Sequence, residues 1–233
     1  MTAKKTFLVL FLIVFSSTFF LFGGDMASFV DLGFSADGRT YAFGQYGVQT
    51  GTLRPWAEIF IVDVPRNNFV QNGRLSYTHS DSIVAGQDGS GAIFNLVARN
   101  SSLLERHGIS YLRQGQPLFI SLDEPGSPPV QSVEFRDFQA GASYRATINS
   151  WTNGTGDNFT SSFEINLERT ARDGTRRTYT VGTPSVRRPM IVSYSIRKVM
   201  IAPNDGSMIM VIEMRRQSGS GVDVRYMVEA LRL

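Results

Sequence analysis

The residues that invite a search for nucleophilic chemistry are two histidines and one serine–lysine pair. His79 sits in Tyr77-Thr78-His79-Ser80-Asp81, and His107 in Glu105-Arg106-His107-Gly108. A hydrolytic triad needs a base oriented by an acid against a serine. Asp81 lies so near His79 in sequence that its position carries no information, and no Gly-x-Ser-x-Gly elbow occurs. His79 therefore reads as a solvated loop histidine. His107, just before Gly108, reads as a helix C-terminal residue favoured by the negative end of the helix dipole. Ser195-Ile196-Arg197-Lys198 has the Ser-x-x-Lys spacing of some acyl-serine enzymes. That chemistry needs a helix, so that both side chains share a face. Met190 to Met200 is β-prone instead, and on a strand positions i and i+3 point to opposite faces. Asp88, Asp157 and Asp205 stand in Gly- or Asn-rich loops without the dense carboxylate rhythm of a calcium loop. The sequence thus offers no catalytic residue, no metal-ligand set and no cofactor motif.

Binding chemistry is better represented. From Arg169 to Lys198 run Arg169, Arg172, Arg176, Arg177, Arg187, Arg188, Arg197 and Lys198, against Asp173 alone. Outside the cytoplasm such a stretch suits anionic headgroups or wall polymers. Arg169, Arg172, Arg176 and Arg187 are the candidate anion-binding patch. The competing reading is a solvated hairpin balanced by Glu164 and Glu168. Tyr46 and Trp56 flank the glycine-containing loop Gly47–Gly51 and are candidates for a binding surface.

The elements that must position these residues are mostly strands. The expected fold is mainly β, a β-rich α+β chain of antiparallel sheets with related units at its two ends, a central β region and one helix. Near the start, Phe34-Ser35-Ala36-Asp37-Gly38-Arg39-Thr40-Tyr41-Ala42-Phe43 is an apolar stretch, an Asp-Gly turn and a β-prone run. Near the end, Ile201-Ala202-Pro203-Asn204-Asp205-Gly206-Ser207-Met208-Ile209-Met210 repeats that order. Asp-Gly suits tight turns because glycine accepts positive φ and aspartate bonds its own backbone. A second strand follows each, Glu58–Val64 and Arg225–Leu231. The units resemble TolB-like propeller blades, but the middle of the chain does not repeat, so a regular propeller is not expected.

Apolar spacing at Ile93, Leu96, Val97 and Leu104, with Asn100 on the same face, predicts a helix over 90–105, capped by Ser90 and stopped at Gly108. Strands are predicted at Pro117–Leu122, Ser132–Asp137, Ser143–Ser150, Ser161–Glu168 and Thr175–Val181, the last pair joined by Arg172-Asp173-Gly174. Thr152–Asn158 reads as a polar tip, and Pro125–Pro129 as a sub-boundary within one exported domain, 25–233.

Residues 1–24 have the order of an export segment. Lys4 and Lys5 precede an apolar run, Phe7–Phe22, and Gly23-Gly24-Asp25 supplies small residues and a polar break. The segment is either a cleaved signal peptide or a retained N-terminal anchor, and both outcomes place the domain outside the cytoplasm, in the periplasm or cell envelope or secreted. The chain has no cysteine, which excludes thiol catalysis, structural disulfides and lipid attachment at a signal cysteine. Of the formal net charge of +3, two charges are Lys4 and Lys5. The remainder makes no electrostatic case for nucleic acid.

One stretch is specific enough to suggest a family. Asp31-Leu32-Gly33-Phe34-Ser35-Ala36-Asp37-Gly38-Arg39 continues to Phe43-Gly44-Gln45-Tyr46-Gly47-Val48-Gln49-Thr50-Gly51 and Trp56-Ala57-Glu58-Ile59-Phe60-Ile61-Val62-Asp63-Val64. This resembles a bacterial family of predicted secreted proteins, domain-of-unknown-function family 2259. Gln45 replaces the acidic residue usual there. The resemblance implies export and a blade-like start, and brings no ligand or catalytic residue. The expectation is a non-enzymatic exported binding or scaffold module whose partner is an envelope protein or an anionic envelope component. It would meet the membrane only through an uncleaved N-terminus. The alternatives are a hydrolase acting on envelope polymers and an anchored accessory subunit of an envelope complex.

Overall fold

Six consecutive residues, Met208 to Glu213, are buried in one strand. A strand with one wet face would alternate, so this strand must be covered on both sides. The computed structural model, which describes residues 24–123, 127–219 and 221–233, shows the cause. Three antiparallel sheets stack in layers, and this strand runs through the middle one. The predicted export segment, apart from Gly24, and part of the Pro125–Pro129 boundary lie outside the described residues.

The first sheet is a meander of β1 (Ser28–Phe34), β2 (Thr40–Val48), β3 (Pro55–Asp63) and β4 (Asn68–Thr78), in the order β1-β2-β3-β4. Two short helices follow, α1 (Gly91–Arg99) and α2 (Ser101–Arg106). Then come β5 (Gln116–Ile120), β6 (Ser132–Asp137), β7 (Ala142–Asn153), β8 (Thr160–Thr170), β9 (Arg176–Val181) and β10 (Arg188–Pro189). The chain ends with β11 (Ile191–Ile201), β12 (Met208–Ser218) and β13 (Gly221–Leu231). The outer sheet has the order β10-β8-β7-β6, with β9 also on β8, and the middle sheet is β13-β12-β11-β5.

Period-2 alternation along β12 sorts the core. Met208, Met210 and Ile212 pack with Phe163, Ile165 and Leu167 of the outer sheet. Ile209 and Val211 face the first sheet, packing with Phe34, Tyr41, Phe43 and Val62. The far face of the first sheet carries Ile59 and Ile61 against Ile93, Leu96 and Leu104 of the helices.

Both Asp-Gly turns are hairpin turns, β1–β2 and β11–β12, with Gly38 at φ 72° and Gly206 at φ 75°. In the first, the Asp37 carboxylate accepts from the Ser35 hydroxyl and from Arg39 N–H. Those bonds, the hydroxyl's foremost, hold its carboxyl below the usual range. The two turns also meet: Asn204 Nδ2 donates to Ala36 O at 2.8 Å.

Polar groups fasten the first sheet to the middle one. Lys198, the lone lysine outside the N-terminal segment, pairs with Asp31 at 2.7 Å. Gln45 Oε1 accepts from Tyr226 N–H at 2.7 Å while its Nε2 donates to Glu58 at 2.6 Å. The middle sheet also holds a buried ion cluster. Glu213, wholly buried, lies 3.3 Å from Arg197 and 3.0 Å from Arg215. These arginines reach on to the carbonyls of Asp123 and Ser127, pinning the chain between β5 and β6.

The structure departs from the expected elements in four places. The helix breaks at Asn100 (φ −119°, ψ 17°), where the side-chain amide donates to Leu96 O and competes with the helical ladder. Ser90 makes no side-chain cap bond, because Asp88 takes both its hydroxyl and its N–H. The strand predicted to end at Ser150 continues to Asn153. Strand β4 was hidden by the polar run Gln71-Asn72-Gly73-Arg74, in which Asn72 sits at φ 58° opposite a register shift in β3.

Candidate functional site

Strand β13 bonds to β12 along one edge only. In an antiparallel ladder every second residue turns its N–H and C=O away from the partner, so a bare edge presents alternate donors. The register with β12 is unbroken, and the partners seen fix the phase. Val224 N–H donates to Asp25 O at 2.8 Å. Tyr226 N–H donates to Gln45 Oε1. Ala230 N–H donates to Asn67 Oδ1 at 2.7 Å. The first sheet thus covers this edge mostly with side-chain amides in place of a strand. By the same alternation Val228 N–H points off the edge, and among the described residues it has no partner.

Val228 lies in a cleft of about 390 Å³. The β3–β4 turn and β4 contribute Arg66, Asn67, Phe69 and Arg74, the connection into β10 contributes Thr183, Val186 and Arg188, and β13 contributes Val228 and Glu229. Asn67 is the pivot. Its backbone is left-handed (φ 47°), as asparagine tolerates in a tight turn. Its amide therefore spans two partners, accepting from Ala230 N–H and donating to Glu229 Oε2 at 2.5 Å.

Glu229 is the buried charge of the cleft, with 7 % of its side chain exposed. Burial raises its carboxyl above the usual value of 4.5, an effect opposed by the Asn67 hydrogen bond and by Arg188. Arg188 approaches Glu229 to 4.0 Å and lies over the Phe163 ring at 4.9 Å. Arg74 lies over the Phe69 ring at 4.1 Å. Arg66 is paired with Asp63 at 2.6 Å and points to solvent. Among the described residues Arg188 and Arg74 therefore line the cleft without a close acidic partner, beside one carboxylate that already has a neutral donor. Chemically this is a place for an anion.

The residues singled out from the sequence are distributed elsewhere. Arg169 and Arg176 border one shallow groove at the end of the β8–β9 hairpin, together with Arg145, Glu134 and Glu168. They reach it from opposite faces of the sheet, since Arg169 is cross-strand from Arg177 and Arg176 from Thr170. Arg169 also donates to Tyr144 OH at 3.3 Å. Arg172 lies against Gly141. Arg187 is exposed, one residue before Arg188 of the cleft. Arg197 and Lys198 are interior ion-pair partners. Tyr46 packs on the helix side of the first sheet, whereas Trp56 is buried against the middle sheet with Arg225 over its ring at 4.1 Å. The two aromatics therefore face opposite ways.

The nucleophile candidates have structural partners. Ser195 Oγ accepts from Val130 N–H at 2.6 Å, and Lys198 belongs to Asp31. His79 sits in an exposed turn where Nδ1 accepts from Asp81 N–H at 3.0 Å. Asp205 and Asp88 bind neighbouring serines. Among the described residues no three His, Asp or Glu side chains group as a metal site.

Sequence reasoning missed Asn67, Arg74 and Glu229. A signal existed for the last: Met227-Val228-Glu229-Ala230-Leu231 puts a lone acid inside an apolar strand, where burial demands a partner. For Asn67 no local signal identifies a partner 163 positions away.

A family model described as "Predicted secreted protein (DUF2259)" matches residues 42–232. The match starts within the stretch Asp31–Val64 and runs far beyond it, through all three sheets. It lends nothing to the likeness with TolB-like blades. No curated protein matches the chain. No helix among the described residues is long and apolar enough to cross a membrane.

Proposed function

We propose that this chain, which belongs to the family of predicted secreted proteins DUF2259, works in the periplasm or cell envelope as a non-enzymatic binding module for an anionic envelope component. The observation that supports this reading is the cleft at the junction of the three sheets, which Arg74 and Arg188 line beside a single carboxylate, Glu229. A hydrolase of envelope polymers would call for a pair of carboxylates, one acid and one base or nucleophile. Among the described residues Glu229 is the one carboxylate lining this cleft, and Asn67 and Arg188 are its partners.

The test is co-sedimentation of the exported protein with vesicles of anionic phospholipid and with isolated wall polymer, over a series of salt concentrations. Binding through exposed arginines weakens as salt screens the charges, and reversal of Arg74 to glutamate weakens it at low salt. Absence of salt-sensitive binding to every anionic component would overturn the reading. Cell fractionation with mass spectrometry of the mature N-terminus decides separately between periplasm, secretion and anchoring.

A further inference from the structure

The open donor on β13 narrows the ligand. We infer that the cleft is an oxyanion-binding site in which a compact carboxylate or phosphate group accepts a hydrogen bond from Val228 N–H while Arg188 and Arg74 balance its charge. This rests on the binding reading above and specifies the contact.

Val224, Tyr226 and Ala230 have their outward N–H groups satisfied by Asp25, Gln45 and Asn67. A buried backbone donor without an acceptor is rare in folded proteins because it loses water and gains nothing. Val228 is 8 % exposed, and between Val224 and Ala230 its N–H is the one outward donor without an acceptor among the described residues. That donor opens on the residues that carry the positive charge.

The same pattern excludes a strand-like ligand. Adding a peptide strand to a sheet edge needs a run of free donors and acceptors. Here Gln45 blocks the donor before Val228 and Asn67 the one after it. What remains is room for a point contact, one acceptor atom on one N–H. An acceptor flanked by guanidinium groups is an oxyanion, since the planar fork matches carboxylate and phosphate oxygens. A cationic ligand is disfavoured by Arg188 and Arg74, and Glu229 is already held by Asn67 Nδ2. The carboxylate of an acidic sugar and the phosphate of a lipid headgroup share this chemistry.

The experiment uses the exported protein labelled with ¹⁵N-valine. Sodium acetate and inorganic phosphate are titrated separately at constant ionic strength while the Val228 amide is followed by NMR. The expected result is a saturable shift of the Val228 amide with at least one of the two, and the stronger responder identifies the source. Arg188→Gln and Arg74→Gln should each weaken that response at least tenfold, as expected for loss of a charge-assisted contact. Arg74 is exposed, so its variant keeps the test meaningful should Arg188→Gln fail to fold. Without ligand, the Val228 amide should exchange with solvent faster than those of Val224, Tyr226 and Ala230. Salt-sensitive binding to vesicles or wall polymer with an unmoved Val228 amide overturns this contact and leaves the binding reading intact. Failure of both probes together with failure of the co-sedimentation overturns both.

Discussion

Gly38 and Gly206 occupy corresponding turns with nearly equal backbone angles, φ 72° and 75°, yet their surroundings differ. A Cβ on Gly206 meets nothing within 4 Å, whereas a Cβ on Gly38 would sit 1.7 Å from the Pro203 carbonyl oxygen. Gly206→Ala should therefore show the backbone term alone, about 1–2 kcal/mol for an L-residue held left-handed. Gly38→Ala has that term and must also push the two turns apart. Separation endangers the Asn204–Ala36 hydrogen bond, worth about 0.5–1.5 kcal/mol. The accompanying backbone shift costs about 1–3 kcal/mol, by analogy with overpacked cores. Gly38→Ala should thus destabilise by about 2.5–6.5 kcal/mol, roughly 1.5–4.5 kcal/mol more than its counterpart. Urea denaturation with linear extrapolation measures both, provided that the m-values agree. Asn204→Gly, which keeps the left-handed angle and drops the amide, should cost less in the Gly38→Ala background than in the wild type. Equal losses for the two glycine variants, within about 0.5 kcal/mol, would refute the packing of one turn on the other.

Removing the acid from the buried cluster, Glu213→Ala, should destabilise by about 3–5 kcal/mol, because it strands Arg197 and Arg215 without a counter-charge; a loss below 1 kcal/mol in urea melts would contradict the burial. Glu229 makes stability depend on pH. Its folded carboxyl titrates above 4.5, so between 4.5 and the raised value the folded state holds a proton that the unfolded chain has released. Its contribution is therefore most favourable below pH 4.5 and declines as pH rises through that window. Glu229→Gln should flatten this part of the stability–pH curve, and an unchanged slope would remove Glu229 as its source. Asp31→Asn and Lys198→Met should show coupling in a double-mutant cycle, since the pair bridges two sheets at 2.7 Å; strict additivity would show that the contact contributes nothing.

Much of the β architecture was legible because its signals are local. Phe163, Ile165 and Leu167 alternate with Glu164, Asn166 and Glu168 and form β8 as expected. Asp37-Gly38 and Asp205-Gly206 announce their hairpins, and the flanking apolar residues Phe34, Tyr41, Phe43, Met208 and Met210 are buried. The Gly108 stop also holds, with φ 67° and Ile109 N–H closing on Leu104 O. The family was legible in Asp31–Val64 and extends over most of the chain.

The candidate cleft was not legible, for a physical reason that its residues illustrate. A strand's alternation and a turn's glycine depend on bond geometry within a few residues, so the sequence by itself determined the hairpins, the apolar faces and the kinship. Which side-chain amide covers which bare N–H depends on how two sheets sit on each other. Gln45 meets Tyr226 across 181 positions, and Asn67 meets Ala230 across 163. Arg188 joins the cleft because two residues of β10 pair with β8, while Arg169 on the same sheet is taken up by Tyr144. Charge runs in the sequence count arginines without saying which way they point. Only the stacking of the three layers decided that Arg197 and Lys198 turn inward to acids and that Arg74 and Arg188 line the same cleft as Val228 of β13. Those contacts are electrostatic and steric matches between distant surfaces, fixed when the sheets pack and by nothing shorter in range.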